Sequence, residues 1–282
     1  MEFGRLEPEE LASVDFTLPP DSLQNIAVLK SSPGTDKFEL RVGAMKWGRK
    51  EWLGNFYPAK TDEKNFLDEY VKHFDSIYFN ATFYQVYGPD QILKWKKQAS
   101  ANPNFKFFPK VSQSITHLRR LKNAEELTAQ FISGVRAFGE MLGAAQLQVG
   151  DNFTPKSFPE LKAYVESFPK DFEYFIELRH RDWFTPEWLP KLFDLFSKYN
   201  VGFGMTDSPG RRDCVHMQLT IPRTMIRFTA SGDDDVDRKR MDAWADRIKD
   251  WKNKGLLSAE FFITGPDEKM TPDFIRYFKS RF

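Results

Sequence analysis

The sequence has a single cysteine, almost no net charge and no long apolar stretch. Each of these absences excludes or disfavours a class of protein. The 282 residues include one cysteine, Cys214, which excludes an internal disulfide and favours a reducing compartment. Lysine and arginine total 41 against 40 aspartate and glutamate residues, so a net charge of +1 gives no overall support for binding nucleic acid or acidic membranes. No apolar stretch reaches the roughly 20 residues that a membrane helix needs. We therefore expect a cytoplasmic protein that does not bind membranes.

Short motifs for several common chemistries are also absent. The sequence has no glycine-rich phosphate loop, no three-glycine dinucleotide fingerprint, no His-Glu-x-x-His metal motif and no Gly-x-Ser-x-Gly nucleophile elbow. Cys214 has His216 close by in sequence, but no third group is apparent that would orient the two for nucleophilic catalysis. We therefore predict a protein without an organic cofactor and without a stoichiometric metal ion.

Apolar runs alternate with amphipathic segments along most of the chain. The runs predict eight strands over residues 38–45, 76–82, 105–112, 144–150, 172–179, 201–207, 224–230 and 258–265. Helical spacing is clear in segments 65–73, 124–142 and 236–254. Alternating strands and helices favour parallel pairing, because parallel strands need long crossover connections. We predict an α/β fold with a single closed parallel (β/α)8 TIM-type barrel, which takes about 250 residues. A doubly wound open sheet is the alternative, since residues 208–222 show no helical pattern.

The first 36 residues lie outside this alternation. Segments 6–11 and 22–30 predict short helices, whereas Pro19-Pro20 and the Ser-Ser-Pro-Gly sequence at 31–34 indicate turns. We interpret residues 1–36 as an N-terminal extension packed against the barrel, and residues 37–282 as the barrel itself.

The segment 172–183 reads as a buried strand that ends in ionic residues. Glu177 and Arg179 share one face of this strand, while Ile176 and Leu178 point the other way. Burying a carboxylate and a guanidinium costs several kcal/mol per ion unless the two are paired or used. The ionic face is therefore either a structural ion pair or part of a ligand site, and the sequence leaves both interpretations open.

A resemblance to a known family is carried by motifs in order from about residue 42 to 207. They are Gly43, Trp47, Trp-Leu-Gly-Asn-Phe-Tyr-Pro at 52–58, Asn-Ala-Thr-Phe-Tyr at 80–84, Trp95, Phe107, Lys110, Thr116-His117, Glu-Leu-Arg-His at 177–180 and Trp183. This set resembles the YecE-like family, which is catalogued as a domain of unknown function. Arg227 is similar to a strand arginine of the family, whereas segments 229–232 and 262–265 depart from its pattern. The resemblance implies a barrel with a cleft at the carboxyl ends of its strands and implies no known reaction.

Polar and aromatic residues at the ends of the predicted strands are the candidate site. In such barrels ligands bind where the carboxyl ends of the strands converge. The candidates for moving protons or positioning groups are Glu177, His117 and Asp207; the candidates for binding a ligand are Arg179, Lys110, Asn80, His180, Arg227, Trp47 and Tyr84. Arginine and lysine suit phosphate or carboxylate groups, and aromatic rings can stack on a sugar or a base. We predict that Asn80, Lys110, Glu177, Arg179 and Asp207 converge on one cavity.

Three functional hypotheses follow from these residues. The first is a hydrolase, lyase or isomerase that acts on a small anionic, sugar-like or nucleotide-like ligand. The second is a non-catalytic module that binds nucleic acid or a metabolite. The third is a metal-dependent phosphodiesterase or isomerase resembling endonuclease IV, with ligands from Glu177, Asp207 and the histidines. Cations in the same mouth would repel a divalent ion, which disfavours the third. The sequence does not predict an oligomeric state.

Overall fold

A computed structural model describes residues 3–32 and 37–282. Their strands are β1 Glu39–Ala44, β2 Ser76–Phe79, β3 Lys106–Pro109, β4 Ala145–Gln148, β5 Tyr174–Glu177, β6 Gly202–Phe203, β7 Met205–Asp207, β8 Arg223–Thr229 and β9 Ser258–Thr264. Their α-helices are α1 Pro8–Leu11, α2 Asn25–Lys30, α3 Phe66–His73, α4 Ala81–Tyr84, α5 Pro89–Gln98, α6 Glu125–Val135, α7 Phe158–Ser167, α8 Trp188–Lys198, α9 Asp234–Lys254 and α10 Thr271–Lys279. The fold is thus mixed α/β, as the alternating sequence pattern predicts.

Six strands form a parallel sheet in the order β3-β2-β1-β9-β8-β7. Each of the eight predicted strands contains at least one observed strand. The sixth is divided at Gly204 into β6 and β7, and the second ends at Phe79, so the predicted strand residues Asn80 to Thr82 turn into α4 instead. A six-stranded parallel sheet is therefore established, while closure of a barrel stays a prediction.

The chain divides into two compact units. Unit 1 comprises Met1–Val42 and His180–Phe282, and unit 2 comprises Gly43–Arg179. This division does not follow the predicted domain boundary at residue 36, because the N-terminal residues belong to the same unit as the last hundred. The boundary between an extension and a barrel remains an expectation from sequence.

Unit 2 contains the pairings of β2 with β1 and β3, and of β4 with β5. Ala44 lies opposite Ile77, and Gln148 lies opposite Glu177. An isolated bridge between Lys110 and Gln146 continues the parallel pairing from the end of β3 to β4. Gly43 is required where β1 approaches β2, because a Cβ atom there would come within 2.3 Å of the Ser76 carbonyl oxygen. These parallel pairings bring the carboxyl ends of β3, β4 and β5 to one edge.

Unit 1 contains β7, β8 and β9, the long helix α9 and the N-terminal residues. Asp233 caps α9 by accepting the Val236 N–H at 3.0 Å, and Gly255 ends it with a φ of 117°. Both predicted N-terminal helices are present as α1 and α2. The predicted turn at Ser31 to Gly34 includes Pro33 and Gly34, which lie outside the described residues.

Hydrogen bonds join the N-terminal segment to other parts of unit 1. Asp21 accepts hydrogen bonds from Arg247 at 2.6 Å and from the Trp251 indole at 3.0 Å, both on α9. The Asn25 amide donates to the Met217 carbonyl at 2.8 Å. Between Ser208 and Pro222 the helical structure is a short 3₁₀ turn at Arg212–Cys214, in agreement with the missing helical pattern. Across residues 3–32 and 37–282, no helix combines the length and apolar character needed to span a bilayer.

Candidate functional site

Lys110 is anchored at both its backbone and its side chain. It follows β3 directly, and its side chain is largely buried. The ammonium Nζ donates to Gln148 Oε1 at 2.8 Å and lies 3.9 Å from the centroid of the Phe83 ring. The Thr82 hydroxyl donates to the Lys110 carbonyl at 2.8 Å. A neutral amide and an aromatic face thus stabilise this cation without cancelling its charge.

Glu177 and Arg179 form the ion pair that their shared strand face predicts. Arg179 Nε donates to Glu177 Oε1 at 2.8 Å, and Glu177 is 1% exposed. The second carboxylate oxygen of Glu177 accepts a hydrogen bond from Gln146 Nε2. A weaker ion pair joins Arg179 Nη1 to the exposed Asp151 carboxylate at 3.7 Å. Because Glu177 is held on both oxygens, it fixes the orientation of the guanidinium.

His117 lies half-buried close to both of these cations. Burial and the positive charges of Lys110 and Arg179 lower the pKa of His117 to about 4, although Asp151 and Glu177 oppose the shift. The imidazole is therefore neutral at pH 7. Its ring meets Phe83 edge to face at a centroid distance of 5.1 Å. We call Lys110, His117, Gln146, Gln148, Glu177 and Arg179 the unit 2 cluster.

The backbone that carries His117 is irregular. Ser114–Leu118 forms one turn of π-helix, in which the Arg119 N–H donates to the Ser114 carbonyl at 3.1 Å. Arg120, Leu121 and Asn123 follow with φ of 51°, 67° and 47°. Left-handed conformations at non-glycine residues and single π-turns both occur preferentially at functional sites. The local backbone therefore supports a functional role for this loop.

Three more predicted site residues belong to unit 2. The Asn80 amide donates to the Met45 carbonyl at 3.3 Å, so it links the ends of β2 and β1. Trp47 stacks on Phe79 with ring centroids 5.5 Å apart, which gives it a packing role. Tyr84 is 70% exposed and meets the edge of Phe83 at 5.3 Å. Tyr84 is thus the aromatic candidate with a ring face available to a ligand.

Asp207 belongs to unit 1, where its carboxylate is surrounded by donors. It accepts hydrogen bonds from Arg240 Nη2 and Trp244 Nε1, each at 2.6 Å, and from Arg212 Nη1. Burial favours a raised pKa for Asp207, but the guanidinium groups of Arg240 and Arg212 hold it below its ordinary value. Arg240 also bonds the buried Asp237 at 2.7 Å. We call Asp207, Arg212, Asp237, Arg240 and Trp244 the unit 1 cluster.

The remaining two candidates also lie in unit 1. His180 Nδ1 accepts the Asp182 N–H at 3.3 Å and so caps the short helix that follows. Arg227 lies within β8 rather than at its carboxyl end, opposite Thr206 of β7. Seven of the predicted residues thus fall in unit 2 and three in unit 1. Convergence of Asn80, Lys110, Glu177, Arg179 and Asp207 on one cavity stays a prediction.

Sequence reasoning missed the two glutamines of β4 and the role of Thr116. Gln146 and Gln148 are almost fully buried and hold Glu177 and Lys110, respectively. Their signal was the alternation Ala-Gln-Leu-Gln over 145–148, which places both amides on one face of the strand. Thr116 bonds His117 Nδ1 at 2.8 Å, a contact that adjacent positions do not reveal without the π-turn.

In the part of the chain that the structure describes, no group of three or more His, Cys, Asp or Glu side chains is arranged to hold a metal ion. His216, a candidate for such a set, instead stacks on Phe203 at 3.8 Å and accepts the Gln218 N–H on Nδ1 at 3.1 Å. Cys214, the single cysteine of the sequence, is buried.

The fold and the clusters together define a class: an α/β protein with a parallel sheet and buried ionic side chains at its strand ends. The chain belongs to the DUF72 family, whose model, described as a protein of unknown function, matches residues 41–282. UPF0759 protein YecE of Escherichia coli K12 is 23% identical over 253 residues, covering 83% of this chain and 89% of that protein. The resemblance to the YecE-like family is thereby confirmed.

Solved structures of the same family share the fold. A DUF72 family protein from Enterococcus faecalis V583 superposes with a TM-score of 0.68 at 15% identity, covering 87% of this chain and 98% of that chain. Another from Thermotoga maritima MSB8 gives a TM-score of 0.66 at 18% identity, covering 86% and 98%. At these identities the likeness concerns the fold alone.

Proposed function

We propose that unit 2 binds a small anion through Lys110 and Arg179, at the carboxyl ends of β3, β4 and β5. The ligand would carry a phosphate or a carboxylate on a sugar-like or nucleotide-like body. The observation that carries the proposal is the anchoring of two cations at these strand ends: Lys110 Nζ lies 2.8 Å from Gln148 Oε1, and Arg179 Nε lies 2.8 Å from Glu177 Oε1. Their effect on the pKa of His117 supports it. Because an anion would relieve the repulsion between these positive groups, its binding is electrostatically favourable.

The anchoring contacts favour a ligand site over an ion pair that serves only packing. Lys110 is held by a neutral amide, so its charge is not cancelled by that contact. Arg179 meets the buried Glu177 through Nε, and a guanidinium has five N–H groups, so one side chain can bridge its own carboxylate and a ligand. Gln146 Oε1 is a buried acceptor without a hydrogen-bond partner among the residues described. Such preorganised polar groups are typical of binding sites.

The wider setting is also part of the proposal. We propose that the strands close an eightfold barrel whose mouth holds the site, which the adjacency of β1 and β9, the first and last strands, supports. An experimental structure with an open sheet would contradict closure. We further propose cytoplasmic residence, on the composition alone. Within the site, Glu177 and His117 are the groups placed to assist hydrolase, lyase or isomerase chemistry.

Calorimetry with sulfate and phosphate on two variants tests the proposal. Arg179→Lys keeps the charge but removes the planar fork, and should weaken binding by roughly 1–3 kcal/mol, the value of a hydrogen bond to a charged group. Glu177→Gln removes a competing negative charge and should leave affinity equal or tighter. Gln146 can rotate its amide to serve the new side chain, since its own oxygen is unpartnered within the described residues.

The matched control is Arg136→Lys, at an exposed arginine of the same unit that pairs with Asp171 at 2.6 Å. It should leave anion affinity unchanged. If Arg179→Lys and Glu177→Gln bind anions like the parent but unfold much more easily, Glu177 and Arg179 are a structural pair and the proposal fails.

A non-catalytic binding module is the second candidate, and one observation favours it. Tyr84 and Leu118 are 70% and 75% exposed, and each adjoins a residue that packs on the unit 2 cluster or belongs to it. The exposed Tyr84 ring meets Phe83, whose own ring lies 3.9 Å from Lys110 Nζ. Such a pairing of ring and cation suits the base and phosphate of a nucleotide or a short nucleic acid. A thermal-shift comparison of nucleotides with sugar phosphates separates the two candidates, because a tenfold preference for nucleotides lost in Tyr84→Ala would favour the binding module.

A further inference from the structure

The proton of the Thr116 hydroxyl decides which nitrogen of His117 is protonated. The Thr116 oxygen lies 2.8 Å from His117 Nδ1 and 3.1 Å from the Ser112 carbonyl oxygen. A hydroxyl has one proton, so it can donate to one of these two acceptors only. The other contact must then be satisfied differently.

The Ser112 carbonyl already has two donors. It accepts the backbone N–H groups of Ile115 at 3.0 Å and Thr116 at 3.1 Å. A carbonyl oxygen offers two lone pairs, so a third donor gains little there. The Thr116 proton is better placed on the lone pair of His117 Nδ1, at a distance normal for a hydroxyl donor. A neutral imidazole that accepts on Nδ1 carries its proton on Nε2.

The opposite edge of the ring is directed toward the loop after β4. A Cβ atom built on Gly150 would lie 3.4 Å from His117 Cδ2 and 3.8 Å from Nε2. Asp151, the partner of Arg179, follows in this loop. His117 Nε2 has no hydrogen-bond partner in residues 3–32 and 37–282. The N–H on this edge is thus available to a ligand that Arg179 also reaches.

We propose that Thr116 fixes His117 as a neutral donor, so that Nε2–H completes an anion site with Lys110 and Arg179. This inference rests on the proposed function and deepens it. It also changes the role expected for His117, from a group that takes up a proton to a group that donates a hydrogen bond. The ligand oxygen that meets Nε2–H must accept a hydrogen bond, as the anionic oxygens of sulfate, a carboxylate or a phosphate ester do.

A neutral donor also suits an enzyme. Hydrogen-bond donors stabilise a transition state when they point at an oxygen that becomes more negative in it. A neutral imidazole can donate in this way without first losing a proton. In that case Glu177 is the remaining candidate of unit 2 for proton transfer.

Nitrogen NMR of the imidazole tests the tautomer without any ligand. The chain has four histidines, so the His117 signals are assigned by their loss in His117→Phe. At about pH 7.5 we expect an unprotonated Nδ1 and a protonated Nε2. Thr116→Val, which is nearly isosteric, should convert this to a mixture of tautomers, whereas Thr116→Ser should keep the single form. A protonated Nδ1 in the parent would overturn the inference.

Sulfate calorimetry on the same proteins tests the donor. His117→Phe keeps the ring that packs on Phe83 but has no nitrogen, and should weaken sulfate binding about fivefold, as expected for one hydrogen bond. His117→Gln supplies an amide N–H near the position of Nε2 and should recover most of the affinity. Thr116→Val should weaken binding by about twofold, because half of its imidazoles would offer a lone pair to the anion.

The outcomes separate the two claims. If Arg179→Lys weakens sulfate binding while His117→Phe does not, the anion site stands and the donor role of His117 is wrong. If the parent binds no anion, the proposed function fails and the ligand assignment with it, while the NMR result still decides the tautomer.

Discussion

The two ionic clusters of this protein use similar residues in different ways. In the unit 1 cluster, Asp207 is fully buried and three side chains donate to it, two of them arginines. In the unit 2 cluster, Glu177 accepts from one arginine and one neutral amide, and Lys110 has a neutral acceptor. In the first arrangement arginines donate to buried carboxylates, whereas in the second the charges of Lys110 and Arg179 act on a neighbouring histidine. A buried ion pair is therefore not a site merely because it is buried.

The two histidines with depressed pKa values repeat this contrast. Burial lowers the pKa of His216 to about 4, and both of its nitrogens are engaged by backbone groups of Gln218 and Gly204. The pKa of His117 is lowered as far by burial and by two cations, yet within residues 3–32 and 37–282 its hydrogen bond is made at Nδ1. His216 is thus a structural histidine, while His117 presents a ring edge to its surroundings.

The largest effect should come from breaking the unit 1 cluster. Asp207→Asn leaves Arg240 and Arg212 without their shared charge, and should lower the free energy of unfolding by about 3–5 kcal/mol, as is typical of a broken buried pair. Glu63→Gln is the control, because its pair with Lys50 is exposed and should contribute little to stability. Urea denaturation measures both. If Glu177→Gln destabilises as much as Asp207→Asn, the contrast between the clusters is wrong.

A second effect is a loss of stability in acid, to which His216 and His117 contribute in the same direction. An unfolded histidine takes up a proton near its ordinary pKa of 6.5, whereas His216 and His117 do so only near 4. The unfolded state therefore binds more protons between these values, and stability falls as the pH drops from about 6.5 toward 4. The slope should be up to about 1.4 kcal/mol per pH unit for His216, and less for the half-buried His117, whose share is screened by solvent.

Urea denaturation over this pH range compares the parent with His216→Gln and His117→Gln. His216→Gln should remove more of the slope, because His117 is only half-buried and solvent screens its share. The lowered pKa of Asp207 adds a separate loss below its ordinary value of 3.8, as the pH falls through the folded pKa. Stability that does not change between about pH 6.5 and 5 would contradict the burial of a neutral His216.

Sequence predicted the elements of this fold well, because each strand is an apolar run bounded by turns. It also placed Glu177 beside Arg179, since the period of two along a strand is strict. It failed where the backbone leaves regular structure: Asn80 enters a turn, and His117 lies in a π-helix. It did not reveal the partners of Asp207, because Arg240 and Trp244 lie more than thirty residues away and have no sequence spacing that indicates the contact.

Removing metal ions should have the smallest effect, because we predict that the protein binds no stoichiometric metal ion. Lys110 and Arg179 place positive charge beside Glu177 and His117, so the unit 2 cluster disfavours a divalent cation. The two buried carboxylates of the unit 1 cluster, Asp207 and Asp237, are bonded to Arg240. Protein purified without chelator should contain no stoichiometric zinc, manganese or iron by elemental analysis, and EDTA should leave its melting temperature unchanged. Near-unit occupancy, lost together with stability in Glu177→Gln, would show that Glu177 holds a metal ion. The unit 2 cluster would then be the metal centre of a phosphodiesterase or isomerase. The two clusters would differ because the unit 2 cluster binds a metal ion and the unit 1 cluster serves packing.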